Sequence, residues 1–151
     1  MDMKQKITLF CLLVIGSLAG FAQGVQRIET PQGIRYITNS MDYPVAGTYH
    51  YRGAEPVVEL NSGGSGYFQH HDLEKRPIIW GIECDESGVA KFVKGFDNAA
   101  YTLWYQYTTR TNVDTDENMA WKPVGFSVHF NTQKIFIQGE RSKSYGGDAQ
   151  R

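Results

Sequence analysis

The sequence predicts an all-β protein: an antiparallel meander of about seven or eight strands closed as a small barrel, with a two-sheet sandwich as the alternative. Three observations predict it. Beyond the N-terminal leader no long stretch carries helical periodicity. Apolar and polar residues alternate instead, most clearly where Val124, Phe126, Val128 and Phe130 interleave with Gly125, Ser127 and His129. Clusters of Gly, Asn, Asp and Pro interrupt these runs at short intervals, as turns between strands require.

Taken in order, the chain opens with Lys4 and Lys6, an apolar run from Ile7 to Ile15, and small residues at Gly16, Ser17, Ala19, Gly20 and Ala22. The run is too short to cross a bilayer, and charge, length and exit together predict a cleavable signal peptide over residues 1–22, cut after Ala22. Thr8-Leu9-Phe10 ahead of Cys11 does not make a lipoprotein signal. Residues 23–44 are expected to form an N-terminal arm with one extra strand at Ile34 to Thr38. The barrel domain is placed at 45–141. A strand from Val45 to Tyr51 leads through Arg52-Gly53-Ala54 to a second at Val57 to Leu60, then through Asn61 to Gly66 into Tyr67 to His70. Leu73 to Arg76 reads as a short helical turn ended by Pro77. Ile78, Trp80, Ile82 and Cys84 share one strand face, Asp85-Glu86-Ser87-Gly88 is a turn, and Val89 to Lys94 a return strand. Gly95 to Ala100 reads as a loop or a single helical turn.

Tyr101, Leu103, Tyr105 and Tyr107 alternate with Thr102, Trp104, Gln106 and Thr108, a composition that favours a half-buried strand. A polar loop from Thr109 to Met119 follows. The run from Val124 then turns at Asn131-Thr132-Gln133 into Lys134 to Gln138, which makes a hairpin. Residues 142–151 are expected to fray as a polar tail.

Gly47-Thr48-Tyr49 resembles the Gly-x-Trp opening of lipocalins, with Tyr in the Trp position. Leu60, Gly63, Gly66 and Phe68 resemble the strand–glycine turn–strand element of short lipocalin-like bacterial proteins. The likeness spans roughly residues 45–141 and implies an up-and-down barrel with an internal pocket for a small apolar ligand. The chain departs from lipocalins in lacking a clear C-terminal helix and their paired cysteines. An eight-stranded barrel has room inside for packed side chains or for one small molecule, and both interiors remain open. Phe21-Ala22-Gln23 resembles the exit of bacterial export signals, which implies the periplasm or cell surface of a Gram-negative bacterium.

Net charge is −1 with interspersed signs, so the chain lacks the basic footprint of a protein that binds nucleic acid or anionic membrane. No other segment is apolar for long enough to insert stably in a membrane. Once the leader is removed Cys84 is the only cysteine, and no internal disulfide can form. His70-His71-Asp72 places adjacent side chains on opposite strand faces, a poor start for a metal site. Asp114, Asp116 and Glu117 lack the Gly and terminal Glu of an EF-hand and read as a solvated acidic loop. Asn61 to Gly66 has no phosphate-cradle or nucleophile-elbow spacing and reads as a flexible hairpin tip. Glu59 and Glu83 have no partner that would make either a catalytic acid. No catalytic residue, metal ligand or cofactor is assigned.

The functional hint is aromatic. The chain holds 3 Trp, 9 Tyr and 8 Phe, more than core filling alone demands. Such residues fill cores, line ligand pockets or form partner surfaces. The expectation is a non-enzymatic exported barrel that binds a small apolar or amphipathic ligand, its cavity lined by Trp80, Tyr101, Leu103, Tyr105 and Phe126. The alternative is a protein-interaction module, such as an inhibitor, immunity or surface-assembly component, with a solid core and an external aromatic patch. Trp104 lies on the polar face of its strand and separates the two: pointing onto an internal void it favours a ligand, and exposed among aromatics it favours a protein partner.

Overall fold

The computed structural model describes residues 24–52, 56–70 and 73–146; the expected signal peptide, His71, Asp72 and the last five residues lie outside these. The described residues form eleven strands: β1 (Val25–Thr30), β2 (Gly33–Thr38), β3 (Gly47–Tyr51), β4 (Pro56–Leu60), β5 (Ser65–Phe68), β6 (Arg76–Cys84), β7 (Phe92–Lys94), β8 (Asn98–Tyr107), β9 (Lys122–His129), β10 (Lys134–Ile137) and β11 (Arg141–Ser144). One short helix, α1 (Asp116–Met119), precedes β9.

Eight strands close into an antiparallel barrel, and the other three, β1, β2 and β7, lie outside it. Each barrel strand pairs with its successor along the chain, from β3 through β6, then β8 to β11, and β11 returns to β3. This is an up-and-down meander, as the alternating pattern predicts, and closure rules out the sandwich. The hairpin read from 124–138 forms with Ile135 opposite Val128 and Ile137 opposite Phe126.

Inward faces follow the period of two. Ile78, Trp80 and Ile82 from β6 meet Leu103, Tyr105 and Tyr107 from β8 and Val124, Phe126 and Val128 from β9 in one continuous core. Tyr49 is fully buried in that core, its hydroxyl donating to the Val45 carbonyl at 2.5 Å while the Lys143 ammonium sits 5.5 Å from its ring centre. Gly66 marks a place where the wall is too tight for a side chain: a Cβ there would lie 2.1 Å from the Glu59 carbonyl oxygen on β4.

Several elements differ from the sequence reading. The expected polar tail begins with β11, which pairs on both sides and closes the barrel, so the domain extends past residue 141. Arg141 and Lys143 alternate inward there with no apolar signal for a hydropathy pattern to detect. The N-terminal arm holds a full hairpin, β1 and β2, rather than one strand. Residues 98–100 belong to β8, neither loop nor helical turn, and 73–75 are not helical. The return strand is shorter than expected: β7 pairs with the start of β8, whereas Ala90 bridges back to Cys84.

The β1–β2 hairpin adds a second, smaller core on the outside of the barrel. β2 continues the sheet beside the end of β6, pairing Tyr36 with Cys84 and Thr38 with Ile82. Ile28 and Ile37 then cover Trp104 and Trp121, with Ile79 at the margin. Gly81 makes this approach possible, because a Cβ there would come within 2.8 Å of the Ile37 side chain.

Candidate functional site

Leu103, at the middle of β8, is buried in the core, and the two ends of that strand open onto clefts. Where β3 and β8 begin, a cleft of about 380 Å³ is lined by Met41, Tyr43, Val89, Ala90, Phe92 and Tyr101, with Asp42 and Ser40 supplying polar groups. Tyr101 packs against Phe92 at 5.4 Å and edge-on against Phe126 at 5.9 Å. Where β3 and β8 finish, a second cleft of about 360 Å³ opens between the β5–β6 connection and the segment around α1.

The second cleft is chemically richer. Tyr105 and Tyr107 form its floor, Leu73 and Val113 flank it, and Arg76 and Lys122 bring positive charge. Tyr105 stacks face to face on Phe68 at 4.7 Å and meets Tyr107 edge-on at 5.7 Å. The Arg76 guanidinium lies 3.8 Å from the centre of the Tyr107 ring and the Lys122 ammonium 4.8 Å from it. Burial raises the phenol pKa values of both tyrosines above the usual range, so both stay neutral hydroxyls.

Arg76 is held by a two-point contact with Asp114, at 3.1 and 2.8 Å, and by the Thr109 carbonyl at 2.7 Å. Asp114 also accepts from the Thr111 amide at 2.7 Å and from the Thr111 hydroxyl at 2.9 Å. The Thr111 backbone first, and then Arg76, hold its carboxyl down at about 2. The acidic segment is therefore not wholly solvated: its first carboxylate has a side chain only 4 % exposed and organises the cleft wall. Asp116 pairs at the surface with Arg110 at 3.0 Å, and Thr115 caps α1.

The residues expected to line a cavity divide three ways. Trp80, Leu103 and Phe126 are buried in the barrel core, where Trp80 donates its indole N–H to the Ser65 carbonyl at 2.9 Å. Tyr101 and Tyr105 face inward and reach opposite clefts. Trp104 points outward but is 2 % exposed beneath the β1–β2 hairpin, donating to the Glu83 carboxylate at 2.8 Å. It neither faces an internal void nor sits on the surface, so it favours neither functional reading; the hairpin accounts for it.

The other candidates resolve structurally. The Asn61–Gly66 tip is tied down by backbone bonds from Asn61 to Ser65 and from Gly64 to Asn61, and Trp80 donates its amide to Gly64. Glu59 pairs with Lys75 at 2.9 Å, and Glu83 lies within 3.7 Å of Arg35 and 3.8 Å of Lys91. Cys84 is a buried free thiol whose pKa burial pushes up to about 11, a setting that suppresses the thiolate. His70 lies 5.0 Å from Phe68. No group of three or more His, Cys, Asp or Glu among the described residues has metal-holding geometry, and no described helix is long and apolar enough to cross a membrane.

Sequence reasoning missed Arg76, Lys122 and Arg141. Arg76 reads as the end of a helical turn before Pro77, and Lys122 beside Pro123 carries no local signal of a site. Arg141 had one available signal, since Arg141, Lys143 and Tyr145 keep a strand period after the Gln138-Gly139 turn. Comparison with protein-family models, curated proteins and solved structures found no match.

Proposed function

We propose that this protein is a non-enzymatic exported β-barrel that binds a small amphipathic ligand at the cleft floored by Tyr105 and Tyr107. The observation carrying this reading is the convergence, in one open recess of about 360 Å³, of an aromatic floor, apolar flanks and two cations. Ligand sites are usually concave and mainly apolar or aromatic, with a few placed polar groups, and this recess falls at the small end of their size range. Because the barrel centre is filled by Tyr49, Trp80, Leu103 and Phe126, the ligand sits at the mouth rather than in a hollow interior. Export rests on the charge, length and exit of residues 1–22.

Native mass spectrometry of the protein recovered from a bacterial periplasm tests the reading. A discrete added mass, lost on organic extraction, is the expected result. A clean unliganded mass, with no thermal shift across a panel of amphiphiles, overturns it.

The interaction-module reading retains one specific observation in its favour. Val89, Phe92, Val93 and Phe96 are all more than half exposed around β7, whose outer edge has no strand partner among the described residues. Exposed apolar groups beside an open edge suit protein contact. A periplasmic protein retained by the wild type and lost with Phe92→Ser and Phe96→Ser would favour that reading.

A further inference from the structure

Among the described residues, the shielded part of the second cleft holds two cations, Arg76 and Lys122, and one ion-paired carboxylate, Asp114. Lys122 is partly buried, and its only hydrogen-bond acceptor among the described residues is the Asn118 carbonyl. No described carboxylate lies within ion-pair distance of it. Burial first, and then the nearby Arg76 charge, lower the pKa of this ammonium, and the fields of Asp114 and Glu117 offset them only in part. An ammonium has three donors, and the fold uses one.

Beneath the floor a second cation is similarly placed. Arg141 is 1 % exposed, with its guanidinium 5.3 Å from the Phe68 ring centre, and Phe68 is the ring on which Tyr105 stacks. Arg141 donates to the Gln138 side chain at 2.9 Å and to the Gln69 carbonyl at 3.1 Å. Among the described residues its Nε is buried without an acceptor, as is the Nε of Arg76, and it makes no ion pair. Asp114 ion-pairs with Arg76 and reaches Lys122 only through its field. Glu74 and Glu117, described carboxylates at the mouth, are exposed, where water and salt screen them; Glu117 acts on Lys122 and Glu140 on Arg141 through their fields. Buried charge without a counter-ion is costly, and an entering anion would relieve that cost where an uncharged polar group would not.

We propose that the ligand's polar end is an anion of the carboxylate class, held by Lys122 beside Arg76, with its apolar end against Leu73 and Val113. This inference rests on the amphiphile-binding reading and specifies the headgroup. Arg141 acts from beneath the floor through its field, without touching the ligand.

The test is calorimetric titration of the purified protein with sodium decanoate and with decanol, which share an alkyl chain and differ in head charge. The expected result is decanoate binding at least about tenfold tighter, a preference that falls below about threefold in Lys122→Met, survives in Lys122→Arg and shrinks with added salt. Equal binding of the two probes overturns the anion assignment and leaves the amphiphile reading standing. Binding of neither overturns both. A preference that persists undiminished in correctly folded Lys122→Met removes Lys122 from the site.

Discussion

Single residues in this barrel hold polar atoms where the chain would otherwise bury them unpaired. Trp104 fills the outer core, and its indole N–H reaches the Glu83 carboxylate. Trp104→Ala should cost about 3–5 kcal/mol through the cavity it leaves. Trp104→Phe keeps part of the ring but removes the indole bond to Glu83, which retains its longer contacts with Arg35 and Lys91, at about 1.5–3 kcal/mol for a bond to a charged group. Urea unfolding of the two variants separates the contributions, and equal losses would contradict this division. Asp114 gives a pH signature. Its carboxyl lies at about 2 in the folded chain against 3.8 ordinarily, so its contribution is complete above about pH 4 and fades as pH falls toward 2. Asp114→Asn should therefore flatten that part of the acid-unfolding profile while leaving the neutral range parallel to the wild type. An unchanged acid limb would show that the Thr111 and Arg76 contacts add no pH-dependent stability.

At the scale of elements, the β1–β2 hairpin is the unit whose role depends on a single close approach. It pairs with only the last three residues of β6, and much of its hold comes from Ile28 and Ile37 over Trp104. Gly81 leaves the space that Ile37 occupies. Gly81→Val should lift the hairpin, expose Trp104 and red-shift its fluorescence, with a stability loss of about 1–3 kcal/mol typical of overpacking. An unshifted emission maximum in a destabilised variant would mean that strain is absorbed inside the barrel instead. The sequence marked Trp104 as an aromatic on a polar face but placed a single strand in the arm. The covering hairpin was hard to read because β1 shows only one buried apolar residue, Ile28, among exposed neighbours.

For the whole molecule, closure decides stability, and β11 supplies it. The strand pairs with β10 on one side and β3 on the other. A chain ending at Glu140 should lose cooperative unfolding and aggregate, because two strand edges would be left open at once. Gel filtration and thermal melts check this; a monomeric, cooperatively melting truncation would show that the other seven strands suffice. Closure also sets where a ligand can go, since inward side chains fill the centre and the two clefts lie at the ends.

By itself the sequence determined the strand-rich class, the period-two faces of β6, β8 and β9, and the hairpin from β9 to β10. Those follow from local alternation and turn chemistry, which act over a few residues. The tertiary structure alone decided that the barrel closes through a polar strand, that Trp104 is roofed by a hairpin, and that Arg76, Lys122 and Arg141 gather around Tyr105 and Tyr107. Each of these joins residues distant along the chain: Arg76 and Asp114 stand 38 positions apart, and Arg141 and Gln69 stand 72 apart. Local pattern cannot report such partners, because a lone cation on a strand reads the same whether it meets water, a carboxylate or the inside of a barrel.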